Sequence, residues 1–319
     1  MLTLTSDEYE CARGFVQEFL DQSPEDGPAG FECVYRSHDF AGSRIVLRVR
    51  GARRDYALKV DTESPGTGRL RDEFDMLGKL TTHFVQHETA GVVDPVYMSP
   101  GEAFFVTQFI DRPTAADLIH NSPDDDQIGR IYRRAGSWLN DLHSFQPGKP
   151  YNFRPSWMVD RLQALLGLVP DTVHPWGKKM VQHLTLEAAQ LKGIPDLLIH
   201  AHGDFHSQNL IVGQGEMIGL DFTETREKLA VYDIVDFLKS DIFRDGTDDQ
   251  VDQSGILKTN KDMFFRKYRH PIQMDVLDMC MRARLVMDWL DLWRLDRSCS
   301  EYESFRRDRL NLRLQAVYE

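Results

Sequence analysis

The spacing of hydrophobic positions changes along the chain, from short apolar runs of strand length to longer stripes with helical spacing. A helical stripe at residues 5–20 comes first. Apolar runs bounded by turn residues then predict five strands, at 33–36, 44–49, 55–60, 92–97 and 103–110, with one helix at 69–80. This first part therefore predicts an antiparallel five-stranded sheet that carries one helix.

Helical spacing dominates the rest of the chain. The clearest helix is predicted at 122–145, with Ser122 as its cap, Pro123 in the first position and Asp124 to Asp126 in the first turn. Further helical stripes lie at 156–192, 272–296 and 302–318, and the polar stretch 241–261 is predicted to be a mobile surface loop. The two halves together predict an α+β protein with an amino-terminal lobe at 1–110 and a carboxyl-terminal lobe at 111–319.

One segment of the second half carries most of the candidate chemistry. Its order is an apolar run at 197–199, then His202-Gly203-Asp204, then Asn209, and finally two apolar runs, around a Gly213–Gly215 turn, that end at Asp221. This pattern predicts a loop followed by a β-hairpin, with Asp204, Asn209 and Asp221 at one end of a short sheet.

Two carboxylates and an amide oxygen suit a hard divalent cation together with a hydroxyl group that needs a proton acceptor. Two other interpretations fit the same residues. One is a hydrolytic metal site formed by His202, Asp204 and His206. The other is a structural turn whose polar side chains are satisfied internally.

The spacing His202-Gly203-Asp204-x4-Asn209, followed by a hairpin that ends in Asp221-Phe222, resembles the signature of the aminoglycoside phosphotransferase and choline-kinase-like family. The resemblance implies a bilobal, protein-kinase-like fold and an ATP-dependent kinase that phosphorylates a hydroxyl group of a small molecule. Asp204 is then the catalytic residue, and Asn209 and Asp221 hold Mg²⁺ between the phosphates of ATP.

The same resemblance assigns a nucleotide site to the amino-terminal lobe. Tyr56-Ala57-Leu58-Lys59 is similar to the kinase strand whose lysine contacts the α- and β-phosphates, although a solvated lysine on an edge strand is the alternative. We expect Glu73 to pair with Lys59, with Glu63 and Asp72 as competitors. The remaining nucleotide contacts implied are Ser37 and Ser43 in the phosphate loop, and Gln108, Phe109 and Ile110 beside the adenine.

Two residues outside this segment support the resemblance, and two features of the chain depart from it. Asp233 is implied to brace the catalytic loop, and His143 is expected to be a core histidine near that loop. The loop 37–43 departs from the family pattern because it contains only Gly42, and Thr223 stands where protein kinases carry glycine. A catalytically idle nucleotide-binding or regulatory protein on the same scaffold therefore remains an alternative.

Composition excludes some classes of protein and leaves the acceptor open. The chain has 319 residues, 41% of them hydrophobic and 28% charged, with a net charge of −12. This charge argues against nucleic-acid binding and is compatible with an amine-bearing acceptor without requiring one. Four separated cysteines, no secretory signal and no apolar run of membrane-spanning length predict a cytoplasmic protein that does not associate with membranes.

Overall fold

An antiparallel sheet of five strands forms the amino-terminal part of the computed structural model, which describes residues 2–22, 30–294 and 298–319. In the described residues the strands are β1 Gly30–Arg36, β2 Arg44–Arg50, β3 Asp55–Asp61, β4 Ala90–Val92, β5 Pro95–Met98, β6 Phe104–Gln108, β7 Lys149–Asn152, β8 Pro195–Ala201, β9 Leu210–Val212, β10 Met217–Gly219 and β11 Arg226–Leu229. The helices are α1 Ser6–Gln22, α2 Arg69–Phe84, α3 Ala115–Asn121, α4 Asp125–His143, α5 Ser156–Leu166, α6 His174–Leu191, α7 Ala230–Leu238, α8 Lys258–Phe265, α9 Met274–Leu292 and α10 Glu301–Tyr318.

Internal contacts divide the chain into two compact units. The first contains residues 1–112 and 213–223, and the second contains 113–212 and 224–319. The hairpin turn and β10 thus belong to the first unit, whereas the sequence prediction assigned them to the carboxyl-terminal lobe.

The large sheet of the first unit has the strand order β1-β2-β3-β6-β5, with every neighbouring pair antiparallel. Alternate residues of β2 and β3 are buried, because successive side chains of a strand point to opposite faces. The α+β class and the five-stranded sheet are therefore confirmed. The predicted strand 92–97 is wrong in one respect. The chain leaves the β conformation before Pro95, whose ring nitrogen cannot donate a hydrogen bond, and β4 instead runs parallel to β10.

The second unit is mostly helical, and a small antiparallel sheet with the order β7-β8-β11 lies within it. Helix α4 supplies ten buried residues to its core, including Trp138 and His143. The predicted cap of α4 is wrong. Asp124 caps this helix by accepting hydrogen bonds from the amides of Asp126 and Gln127. Ser122 instead ends α3, where its amide donates a hydrogen bond to the Leu118 carbonyl.

The prediction of a mobile surface loop at 241–261 is also wrong in part. Asp241 is fully buried and accepts hydrogen bonds from the Leu257 amide at 2.9 Å and the Asn260 side chain at 2.6 Å. It also pairs with Arg313 of α10 at 3.0 Å. These partners hold the two ends of the segment together, and its last residues form the start of α8. Among the described residues, no helix has both the length and the apolar character needed to cross a membrane.

Candidate functional site

Lys59, in the centre of the amino-terminal sheet, is held by two carboxylates. Its Nζ lies 2.8 Å from Oε1 of Glu73 on α2 and 2.9 Å from Oδ1 of Asp221. Glu73 is only 2% exposed, so its carboxylate depends on partners within the protein, and Lys59 is the cation that pairs with it. The predicted Lys59–Glu73 pair is present, and the alternative of a solvated edge lysine is wrong because β3 lies between β2 and β6.

Thr223 completes this cluster. Its hydroxyl accepts a hydrogen bond from Lys59 at 3.1 Å and also contacts the carboxylates of Glu73 and Asp221. Asp221 has a φ of 55°, in the left-handed region that aspartate tolerates better than most residues. The sequence marked Thr223 only as a departure from the kinase pattern; the structure gives its hydroxyl a role in orienting Asp221.

The charges in this cluster shift the pKa values of its members. Burial lowers the pKa of Lys59, but the charges of Asp221 and Glu73 outweigh burial and raise that pKa above its usual value. Burial raises the pKa of Glu73, and the Lys59 ammonium opposes this effect. The folded protein therefore favours the charged form of Lys59.

The other predicted nucleotide contacts lie in the same unit. In the turn between β1 and β2, the Ser37 hydroxyl accepts a hydrogen bond from the Phe40 amide at 3.3 Å, and the Ser43 amide donates to the Phe40 carbonyl. The amides of Gln108 and Phe109 donate to the carbonyls of Asp94 and Asp55.

Ile110 differs from these two residues. Its amide donates no backbone hydrogen bond to any residue that the structure describes. Of the three predicted adenine contacts, Ile110 thus offers a donor that the fold does not use.

In the second unit, Asp233 of α7 holds the start of the loop 202–209 through hydrogen bonds. The buried Asp233 carboxylate accepts hydrogen bonds from the amides of His202 at 2.7 Å and Gly203 at 2.9 Å, and it contacts Nε2 of His143 at 3.1 Å. The predicted bracing by Asp233 and the predicted core position of His143 are both confirmed.

Gly203 must be glycine for two reasons. Its φ is +87°, and a Cβ atom there would lie 2.0 Å from the carbonyl oxygen of Glu224. A substitution at Gly203 would therefore change the backbone that positions the next residue, Asp204.

Asn209 and His206 lie next to Asp204. The Asn209 side-chain amide donates to the Asp204 carbonyl at 2.9 Å, and His206 Nε2 lies 3.3 Å from Asp204 Oδ2. The alternative of a metal site at His202, Asp204 and His206 has no geometric support, because His202 is fully buried against Trp138 and Phe205. Within 2–22, 30–294 and 298–319, no three His, Cys, Asp or Glu side chains converge as metal ligands.

A cavity of about 530 Å³ opens beside Asp204 within the second unit. This volume is typical of sites for small organic molecules. Its lining comes from five segments of the unit and comprises Trp157, Met158, Gly203, Asp204, Arg226, Lys228, Tyr232, Val235, Asp236, Cys280, Arg284 and Met287. Apart from Asp204 and its neighbour Gly203 in the motif, the sequence did not single out these residues individually.

Comparison with known proteins identifies the family. Residues 38–260 match the model of a family described as "Phosphotransferase enzyme family" (APH). The chain belongs to this phosphotransferase family. No curated protein sequence matches the chain.

Solved structures similar to this phosphotransferase-family chain share its fold at low sequence identity. The spectinomycin phosphotransferase APH(9)-Ia, in complex with ADP and spectinomycin, has a TM-score of 0.63 and 11% identity, covering 96% of this chain and 98% of that one. The amicoumacin kinase hAmiN, with AMP-PNP, Ca²⁺ and Ami, has a TM-score of 0.59 and 16% identity, covering 98% and 96%. A choline/ethanolamine kinase family protein from Mesorhizobium loti has a TM-score of 0.57 and 15% identity, covering 98% and 99%. The predicted kinase-like fold and the predicted family are therefore confirmed.

Proposed function

We propose that this protein is an ATP-dependent kinase that transfers the γ-phosphoryl group to a hydroxyl group of a small molecule. The observation that carries the proposal is the position of Asp204. Its loop is fixed by the buried Asp233, and its side chain lines a cavity of small-molecule size. A carboxylate placed this way suits an acceptor hydroxyl that must lose a proton.

The proposed nucleotide site uses the first unit. Lys59, oriented by Glu73, neutralises phosphate charge, while Ser37 and Ser43 offer contacts in the turn after β1. Gln108, Phe109 and Ile110 lie beside the adenine, where the Ile110 amide supplies the hydrogen bond. Similar structures crystallised with ADP or AMP-PNP support a nucleotide as the phosphate donor.

Asn209 and Asp221 are the proposed Mg²⁺ ligands, and they fit a hard cation because both offer oxygen atoms. The Asn209 nitrogen donates to the Asp204 carbonyl, so its amide oxygen is the atom directed elsewhere. The Asp221 side chain is 44% exposed. When bound, Mg²⁺ would neutralise negative charge that develops on the transferred phosphates. The Ca²⁺ in the amicoumacin kinase structure supports a divalent cation.

In the proposed reaction the acceptor oxygen attacks the γ-phosphorus as the bond from that phosphorus to the β–γ bridging oxygen breaks. ADP leaves with the bridging oxygen, and the hydroxyl proton passes to Asp204. Catalysis would therefore depend on positioning of the hydroxyl and on charge neutralisation at the phosphates.

An Asp204→Asn variant tests this role, because asparagine keeps the shape of aspartate without its basicity. We expect ATP-dependent phosphorylation, followed by phosphorus NMR across hydroxylated amines, acids and sugars, to fall by roughly 100-fold or more. Asp262→Asn on α8, an exposed aspartate, is the matched control and should leave activity unchanged. Full activity of a folded Asp204→Asn protein would refute the assignment.

A further inference from the structure

The cavity beside Asp204 has a different charge from the chain as a whole. Arg226 and Lys228 lie two positions apart on β11, so both side chains face the cavity, while Glu227 between them pairs with Lys149 on β7. Arg284 of α9 is the third cation in the lining. Arg284 is already paired with Asp288 at 3.2 Å, so Arg226 and Lys228 are the two cations that distinguish this wall, in a protein whose net charge is −12.

Neither Arg226 nor Lys228 forms an ion pair with a carboxylate of the residues that the structure describes. Lys228 donates a hydrogen bond to the Gly203 carbonyl at 2.8 Å, a neutral acceptor. Arg226 is exposed and has no carboxylate within 4.0 Å among the residues the structure describes. Burial, and then the charge of Arg226, lower the pKa of Lys228, while the charges of Asp233, Asp236 and Glu224 oppose this effect.

The carboxylates of the lining have other partners. Asp236 contacts Lys239 at 3.1 Å and lies 3.8 Å from Arg284, so cations within the protein already offset its charge. Asp204 is the proposed partner of the acceptor hydroxyl and has His206 beside it. An ammonium group on the acceptor would therefore lie near Arg226 and Lys228, and both carboxylates of the lining already have other partners.

Another part of the lining is apolar and flat. The Trp157 side chain is 51% exposed, and its indole nitrogen donates to the Tyr232 hydroxyl at 3.4 Å. Met158 and Met287 extend this surface. An exposed tryptophan held by a neighbouring tyrosine is a surface on which a planar or apolar group can pack.

We propose that the acceptor is a hydroxyl compound with an anionic oxygen group, such as a carboxylate or a phosphonate. Arg226 and Lys228 bind that group, Trp157 contacts the apolar body, and the hydroxyl lies at Asp204. Phosphorylation of the hydroxyl rests on the proposed kinase function. Binding of the anion does not, so the two proposals can fail separately.

The test uses four probes that differ only in one substituent opposite a hydroxymethyl group. They are 4-(hydroxymethyl)benzoate, 4-(hydroxymethyl)phenylphosphonate, 4-(hydroxymethyl)benzylamine and 1,4-benzenedimethanol. Dissociation constants are measured by ligand-observed NMR titration without nucleotide, on the wild type and on Arg226→Gln and Arg53→Gln. Arg53 is an exposed arginine in the turn between β2 and β3, so its replacement changes the net charge equally at a distant position.

We expect the benzoate or the phosphonate to bind at least about tenfold more tightly than the amine and the diol. Arg226→Gln should weaken binding of the preferred anion by roughly five- to tenfold and change binding of the diol by less than about twofold. Arg53→Gln should change the binding of neither probe. The anion that binds more tightly identifies whether the site prefers a carboxylate or a phosphonate. Equal or tighter binding of the amine, or anion binding insensitive to Arg226→Gln, would overturn the proposal.

Turnover of the same probes with ATP separates the two proposals. An anion that binds through Arg226 but is never phosphorylated contradicts the kinase assignment and leaves the anion site supported. Phosphorylation of the amine in preference to both anions supports the kinase and overturns the anion site.

Discussion

Asp233 illustrates how a single buried residue fixes the geometry of the candidate site. Its carboxylate accepts hydrogen bonds from two amides of the loop 202–209 and contacts His143. Burial raises the pKa of Asp233, but the hydrogen bond and charge of His143, the charge of His202 and the Gly203 amide outweigh it and lower the pKa below its usual value. The ionised form is therefore the one that the folded protein stabilises.

This lowered pKa predicts how stability depends on pH. The contribution of Asp233 is fully present above the pKa of an unfolded aspartate, about 3.9, and is lost as the pH falls through the lower native pKa. In urea titrations, the unfolding free energy of the wild type should thus fall more steeply below about pH 4 than that of Asp233→Asn. At pH 7 the variant should already be about 2–4 kcal/mol less stable.

The exposed Asp75 of α2 provides the control for the Asp233 measurement. Asp75→Asn should keep the pH dependence of the wild type, because its side chain is exposed on the helix surface. Equal slopes for the wild type and Asp233→Asn would mean that the loop does not depend on the charge of this carboxylate.

At the scale of elements, helices α4 and α8 pack so closely that one glycine decides their separation. A Cβ atom on Gly136 of α4 would lie 2.2 Å from the carbonyl oxygen of Phe264 on α8. Since a backbone oxygen cannot rotate away as a side chain can, the two helices would have to move apart. The same helix α4 carries His143, which contacts Asp233, so this packing also supports the position of the loop 202–209.

Gly136→Ala should therefore destabilise the protein by about 2–4 kcal/mol, despite the higher helix propensity of alanine. Gly78→Ala on α2 is a control of opposite sign, because a Cβ atom there meets nothing within 4 Å and the change should stabilise by about 0.5–1 kcal/mol. Chemical denaturation of both variants tests the pair. A neutral effect at Gly136 would show that the helices separate at little cost.

At the scale of the whole molecule, the proposed functional residues belong to both compact units. Lys59, Glu73 and Asp221 lie in the first unit, and Asp204 and Asn209 lie in the second. The proposed nucleotide contacts are therefore concentrated in a unit that does not contain the proposed catalytic residue. Nucleotide binding and catalysis should be separable by substitution.

We expect ATP with Mg²⁺, at about 100 times its dissociation constant, to stabilise the folded protein by about 2.7 kcal/mol. Lys59→Met should lose most of the resulting rise in melting temperature, measured against the melting temperature of the same variant without ligand. Asp204→Asn should retain it. An unchanged rise in Lys59→Met would contradict the role of this lysine, and stabilisation without turnover of any acceptor would favour an idle nucleotide-binding protein.

Features that depend on neighbouring positions in the chain could be predicted from the sequence. Apolar runs bounded by turn residues identified β2 and β3, and the spacing from Asp204 to Asn209 identified the loop and its family. Such signals succeed because backbone periodicity and loop geometry are set over a few residues. The cap of α4 failed because Ser122 and Asp124 are both good caps, and the end of α3 decided between them.

Contacts between distant positions required the tertiary structure. The burial of Asp241 depends on Arg313, and the place of Thr223 depends on Lys59 and Glu73. The charge of the cavity is the clearest case, because the sequence shows a net charge of −12 but cannot show which side chains share a wall. The sequence by itself thus determined most of the elements, the spacing from Asp204 to Asn209 and the family. Folding alone determined the surroundings of Asp204, because they come from five segments spread over residues 157–287.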